Sequence, residues 1–349
     1  MRAQLAHLAK TGEVPVFVVV GGGYRSAIHR LRLAEGIHIV ATPRHAAVLL
    51  IAGALTEAAA ASVVRIHDQM AGPRVTVGWG HPEPTVVPVR EHVAGDVSDV
   101  AAVIRRQFRD VVTGVIPPEP PLLPDVDPVE WRGVGPYGHG GTGMTGGTPY
   151  GRPLALRAAD RDGLELDQLP VTVGPWFAGF PPGLALRVSL QGDVAQTVEV
   201  VTTDLVPSGP PGVFARALHE PMLIRDLEMA RARHHVEWMA DALLIAGIDR
   251  LAVRACRLAT TIGPGDIHAV EQLMKGAARS LLRPMALRGV GVLPSDIEIA
   301  GLGPVARASG IPDDRRTADQ GYRDIDFHPV THDTGDAWAR FSQRAAEAA

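Results

Sequence analysis

The sequence of 349 residues contains a single cysteine, Cys256. One thiol closes no intramolecular disulfide, completes no four-cysteine zinc site and holds no iron–sulfur cluster through thiolates. Cys256 sits in the apolar helical pattern LAVRACRLA, which predicts a buried, inert side chain. Lysine is also nearly absent: of 34 basic residues only Lys10 and Lys275 are lysine. No apolar run approaches about 18 residues, so no transmembrane helix is expected. The first residues, MRAQLAHLAKTGEVPV, lack the apolar centre and cleavage pattern of a secretory signal. The expectation is a cytoplasmic protein, or a peripheral passenger on the cytoplasmic face of a membrane complex. A net charge of −4 gives no electrostatic case for binding nucleic acid.

What is present is a chain able to bury real cores. Apolar residues make up 46% of it and the mean hydropathy is +0.08. Its length suits two domains. Charge divides unevenly: residues 1–116 carry 12 Lys+Arg against 9 Asp+Glu, and the remainder 22 against 29. Halves of opposite sign fit two modules that dock on each other.

Between residues 15 and 117, strand-like and helix-like runs alternate. Val16–Val20 ends in Gly21-Gly22-Gly23; Ile37–Ala41, Ala47–Ala52 and Val75–Val77 follow, the last ending in Gly78-Trp79-Gly80. Helical patterns occupy Arg25–Ala34, Thr56–Met70 and Val97–Val112. Such alternation predicts a mostly parallel, doubly wound sheet, with apolar strands buried on both faces. A Pro-rich connector starts at Pro117, and a Gly-dense stretch fills residues 132–151. Within it, Gly141-Thr142-Gly143-Met144-Thr145-Gly146 has the spacing of a phosphate loop. It lacks the preceding strand and following helix that such a loop needs, so it reads as a linker. Beyond it, Val171–Val173, Leu184–Leu190 and Thr197–Val201 read as strands, with Gln191-Gly192-Asp193 as a hairpin turn. Helices then dominate over Ile224–Ala246, Ile248–Thr261, Asp266–Leu282 and Asp336–Ala348, so the second half is expected to be α+β and mainly helical.

Several ordered stretches carry a family resemblance. Ala41-Thr42-Pro43-Arg44-His45-Ala46, the strand ending at Thr56, Arg65-Ile66-His67-Asp68-Gln69-Met70 and Pro73-Arg74-Val75-Thr76-Val77-Gly78 resemble the small, cluster-bearing subunit of respiratory complex I and the [NiFe]-hydrogenases. Gly174-Pro175, Gly183–Val188 and Gly192-Asp193 resemble the N-terminal hairpin of the large subunit. Leu227-Glu228, Arg231 and His235 resemble its Glu-x-x-Arg-x-x-x-His helix. Gly303-Pro304, Arg307-Ala308-Ser309-Gly310 and Gly335-Asp336, Arg340, Arg344, Glu347 resemble its C-terminal segment. The resemblance implies a small subunit fused ahead of a large one. A flavodoxin-like α/β domain would span 1–116, a Pro/Gly-rich linker 117–168 and a large-subunit-like domain 169–349.

The chemistry of that lineage is missing its ligands. The four cluster positions fall at Gly23, Ser26, Gly80 and Asp96, none of them a thiol. Neither cysteine pair of a [NiFe] centre is present. The quinone-facing histidines of the hairpin are replaced by Phe177 and Pro182, leaving Trp176, Phe177 and Phe180 as surfaces on which a quinone would stack. Loop aromatics more often fill a local core or an interface. Adjacent His234 and His235 point about 100° apart on a helix and do not share a metal. Glu228, Arg231, His235 and Arg307 are expected to form a polar set at the seam between the domains, with Asp96 as a carboxylate partner for Arg307. No catalytic residue, metal or cofactor is expected. Three readings follow: a cofactor-free structural or coupling subunit of a complex I-like or hydrogenase-like assembly, partnered by ion-translocating membrane subunits; a redox subunit with a remodelled quinone site; and a small-molecule sensor reusing an empty cluster cavity.

Overall fold

The computed structural model describes residues 12–80, 87–124, 155–160, 162–177, 179–202, 205–206, 212–280, 287–294 and 297–349. The Gly-rich stretch 132–151, with its Gly141–Gly146 pattern, lies outside the described residues.

The N-terminal half runs β1 (Val14–Val20), α1 (Arg25–Leu31), β2 (Ile37–Ile39), β3 (Val48–Ala52), α2 (Ala60–Gln69), β4 (Val75–Trp79), β5 (Glu91–Val93) and α3 (Val97–Thr113). All strand pairs are parallel and the order is β2-β1-β3-β4-β5. Alternating side chains of β1 split between two cores. Val14, Val16 and Val18 meet Ile28 and Leu31 of α1 and Val100 and Ile104 of α3. Phe17 and Val19 meet Val63 and Ile66 of α2 on the opposite face. That second core is completed from far along the chain, by Trp176 and Leu205. α3 is well bounded: Asp96 and Asp99 form a reciprocal capping box, and Gly114 closes the helix in the left-handed conformation at φ 78°.

The linker expected over 117–168 is shorter than its Pro content suggests. Glu119 is buried against the N-terminal half, accepting hydrogen bonds from Thr76 N (2.8 Å) and Thr76 Oγ1 (2.7 Å). His67 Nε2 lies 3.2 Å from the same carboxylate. Asp68 accepts from Leu122 N and Leu123 N, so the strap 117–123 is pinned to α2 and β4. At the other end, β6 (Arg157–Ala159) already belongs to an antiparallel sheet with β7 (Glu165–Val173), β8 (Ala185–Gln191) and β9 (Val194–Thr202). The register places Leu169, Val171 and Val173, Leu186, Val188 and Leu190, and Val198 and Val200 on one face. Leu169, Val198 and Val200 are 60%, 57% and 66% exposed.

The remaining elements are helical: α4 (Val213–Arg216), α5 (Ile224–Ile245), α6 (Asp249–Thr261), α7 (Ile267–Arg279), α8 (Pro304–Arg307), α9 (Gln320–Asp324) and α10 (Ala337–Ala348). Val236, Met239 and Leu243 of α5, Cys256 of α6, Leu273 of α7 and Phe341 of α10 share one core. Cys256 is fully buried, and that burial pushes its thiol up to about 11, the inert side chain its sequence context predicts. Among the described residues no helix is long and apolar enough to cross a membrane.

Candidate functional site at the seam between the halves

The carboxyl ends of β1, β3 and β4 converge where open parallel sheets bind their ligands. Gly21 follows β1, and its N–H donates to Ala52 O at 2.6 Å. The loop then presents Tyr24, whose ring packs edge-on against Trp79 with centroids 5.3 Å apart. The same ring lies over two glycines in the left-handed region, Gly53 (φ 85°) and Gly80 (φ 78°). A Cβ at Gly53 would stand 2.5 Å from Tyr24 Cδ2, and one at Gly80 would overlap Tyr24 Oη. A cysteine at position 80 and Tyr24 in this position are therefore mutually exclusive.

The other positions assigned to a cluster do not converge as ligands. Gly23 and Ser26 are exposed at the start of α1. Asp96 is exposed, and its Oδ1 accepts from Ser98 N (2.7 Å), Ser98 Oγ (2.6 Å) and Asp99 N (3.2 Å). Those bonds, led by the Ser98 hydroxyl, hold its carboxyl below the usual range. A [4Fe–4S] cluster does not fit this residue set: no thiolate is present, and a phenol ring fills the space over Gly53 and Gly80. Beside the ring, a cleft lined by Gly23, Tyr24, Trp79, Asp96 and Ser98 stays open.

Directly beside this loop, α1 faces α5. Asp241, buried in the last turns of α5, accepts from Arg25 Nε at 2.9 Å through Oδ2, and Arg25 Nη2 contacts the same oxygen. Its Oδ1 lies 2.8 Å from His29 Nε2. Arg25 and His29 are four residues apart on α1, so one helical face delivers both to a single carboxylate. Burial pushes the Asp241 carboxyl up, but His29 and Arg25 outweigh it and the group sits below its ordinary value. His29 Nδ1 is buried without a hydrogen-bond partner.

The loop after β7 closes the seam. Trp176 is buried and donates Nε1–H to Val20 O at 3.0 Å. Gly179 (φ 85°) lets the loop approach α5, because a Cβ there would stand 2.5 Å from Ile245 Cγ1 and 2.8 Å from Asp241 O. Phe177 and Phe180 pack edge-on at 5.0 Å. The three aromatics do line one cleft, together with Arg25, His29, Arg32 and Asp241. Trp176 serves chiefly as core for the parallel sheet; Phe177 and Phe180 face the cleft.

The polar set expected at the seam lies elsewhere. Glu228 pairs with Arg231 (3.2 Å) and Arg316 (2.8 Å) and accepts from Tyr322 Oη (2.6 Å). His235 Nε2 lies 3.1 Å from Glu347, and its Nδ1 accepts from Arg344 at 3.1 Å. Arg307 forms a fork to Glu347, Nε to Oε1 at 2.7 Å and Nη2 to Oε2 at 2.9 Å, and pairs with Asp314 at 3.0 Å. Asp96 is not its partner. Among the described residues, the hydrogen bonds and ion pairs of Glu228, Arg231, His235 and Arg307 stay within the C-terminal half, tying α5 and α8 to α10. The seam is instead held by Arg25, His29 and Asp241. The sequence signals these only weakly, as an i,i+4 basic pair on α1 and one carboxylate inside the apolar run Met239–Leu244.

The C-terminal helices, with this buried Arg–Glu fork at their centre, carry a likeness to a known family. Residues 232–349 match the family described as respiratory-chain NADH dehydrogenase, 49 kDa subunit. The matched segment runs from within α5 through α10 to Ala349 and includes Asp241, Arg307, Glu347 and the helical core. No curated protein matches the chain. The segment that is similar to this family covers residues 232–349 of the 349-residue chain. Its α5 supplies the carboxylate that receives α1 of the parallel-sheet half.

Proposed function

We propose that the chain is a fused small-plus-large subunit of a complex I-like or hydrogenase-related assembly, working as a cofactor-free structural or coupling element. The observation that carries this reading is Tyr24, whose ring fills the space over Gly53 and Gly80 beside the degenerate cluster positions. The strand order 2-1-3-4-5 is that of flavodoxin-like sheets, which supports the small-subunit resemblance of the first half. The exposed apolar face of the β7–β9 sheet supports membership in an assembly, since faces of that kind in soluble proteins mark interaction surfaces. Partner subunits, ion-translocating membrane subunits among them, would load the seam, and the Arg25–Asp241–His29 contact would pass the movement between halves. Iron and acid-labile sulfide assays on protein purified anaerobically test the cofactor-free role. The expected result is neither element above trace. Stoichiometric iron with the visible absorbance of a cluster would overturn it. Co-purification with polytopic membrane proteins tests the assembly.

A second reading is favoured by one observation. The cleft beneath Phe177 and Phe180 is mostly apolar but ends on the His29–Asp241 pair, with His29 Nδ1 unpartnered. An aromatic ring carrying a carbonyl or hydroxyl, such as a quinone, matches that lining. A short-chain quinone should then bind wild type and bind His29→Ala at least about tenfold more weakly. Equal binding to both proteins would remove this reading.

A further inference from the structure

A second cleft opens on the other side of α5, lined by Arg231, His234 and His235 of that helix, Arg344 of α10, Phe214 of α4 and the ion-paired Arg307 and Asp314. Its charges do not balance. Arg307 is matched by Glu347 and Asp314, and Arg316 by Asp314 and Glu228. Arg231 reaches Glu228 through Nε, but that carboxylate is shared with Arg316 and with Tyr322 Oη. Arg344 has no carboxylate within 4.0 Å among the described residues. Its Nη1 donates to the neutral nitrogen of His235, and its guanidinium lies 5.0 Å from the centroid of the Trp238 ring. Four guanidiniums, Arg231, Arg307, Arg316 and Arg344, thus face three carboxylates, Glu228, Asp314 and Glu347. Burial, together with the nearby Arg25 and Arg307, depresses the Arg344 guanidinium against the pull of Glu347. His234 adds no charge at neutral pH. Although the residue is exposed, packing around its ring, with Arg344, His235 and Arg25 nearby, pushes it down to about 4.

We propose that this cleft binds the carboxylate of a small organic acid, with Arg344 and Arg231 as its cationic walls and Phe214 against the acid's apolar part. The charge count selects the class. One uncompensated cation calls for a monoanion, and the planar guanidinium fork matches a carboxylate in two-point geometry. A phosphate dianion would overcompensate it. Arg231 already lies 5.3 Å from the centroid of the Phe214 ring, so the rim offers a cation beside an exposed aromatic face. Neither the coupling role nor the quinone cleft is needed for this site, because neither uses Arg344 or Phe214.

Calorimetric titration of the full chain with sodium benzoate tests the site, against benzamide and against sodium chloride at matched ionic strength. Saturable binding of benzoate is expected, with none for benzamide. Arg344→Gln and Arg231→Gln should each weaken it by about tenfold or more. Arg231 is the more accessible of the two, so its variant keeps the test sound should Arg344→Gln fail to fold. Binding of benzamide as tight as benzoate, no heat beyond chloride, affinity unchanged in Arg231→Gln, or tighter binding of inorganic phosphate would each overturn the assignment.

Discussion

At the scale of single residues, Tyr24 and Gly80 form a pair that neither member makes alone. Gly80 has a left-handed φ of 78°, and its missing side chain leaves room for the Tyr24 hydroxyl. Gly80→Ala should destabilise the chain by about 2–4 kcal/mol, combining backbone strain with overpacking. Adding Tyr24→Ala removes the overpacking but not the strain. A double-mutant cycle by urea denaturation should therefore show the two changes to be non-additive by about 1–3 kcal/mol. Strict additivity would mean that the ring does not occupy this place. Glu347 makes the second residue-scale prediction. Burial pushes its carboxyl up, yet hydrogen bonds from His235, Arg307 and Gln343 outweigh burial and hold it well below the ordinary 4.5. A folded-state value below the unfolded one stabilises above about pH 4.5 and loses that contribution as pH falls. Wild type should weaken steeply in acid. Glu347→Gln should be less stable at neutral pH by about 2–4 kcal/mol, because buried Arg307 loses its fork and keeps only Asp314 as a counter-charge, and its acid limb should be shallower. Parallel stability–pH curves for the two proteins would contradict this. The helix spacing that includes Arg344 and Glu347 is visible in the sequence. That Glu347, and not Asp96, receives Arg307 is not, because the two carboxylates differ only in where α3 and α10 place them. Asp96 begins a helix and is held by that helix's own N–H groups.

At the scale of elements, the long periodic segments and the apolar short strands β2 and β4 were legible, while the polar edge strands were not. β1, β3, α3, α5, α6 and α10 announce themselves by apolar runs or by 3.6-residue periodicity. β5, with the sequence Glu-His-Val, does not; it is a strand because β4 offers it an edge. β6 is likewise an edge strand of Arg-Ala-Ala. The Pro-rich connector hid Glu119, whose role depends on His67 and Thr76 far upstream. The seam was the least legible feature, since Asp241 and His29 are separated by 212 positions. It also carries the element-scale prediction. Asp241→Asn leaves Arg25 and His29 facing a neutral amide in a buried place, which should cost about 3–5 kcal/mol. Because α1 and α5 then lose their only charged link among the described residues, amide exchange should quicken first in α1 and in the 174–183 loop. Exchange that quickens evenly through α6 and α7 instead would place the effect in the helical core and not at the seam.

At the scale of the whole molecule, the two halves are neither tethered beads nor a single core. The parallel sheet buries one face with its own α1 and α3, but its other face is finished by Trp176 and Leu205 from the second half. Trp176 also satisfies Val20 O, at the end of the interior strand β1. A domain whose core borrows a large aromatic from its neighbour does not fold independently of it. Trp176→Ala should therefore open a cavity against Phe17 and Val19 and destabilise by about 3–5 kcal/mol. The loss should be felt by both halves: denaturation followed by far-ultraviolet circular dichroism and by proteolysis within residues 14–113 should move together to lower urea. A fragment of residues 1–116 alone should expose the Phe17, Val19 and Leu49 face and bind a hydrophobic dye, in contrast to the full chain. Should the fragment instead fold compactly and unfold at the full chain's urea midpoint, the halves would be autonomous. Coupling through the seam would then rest on Arg25, His29 and Asp241 alone. The shared core makes the first outcome the expected one, and it bears directly on a coupling role. Two halves that share a core would move as one body under load, as the proposed coupling role requires, whereas independent halves would slip.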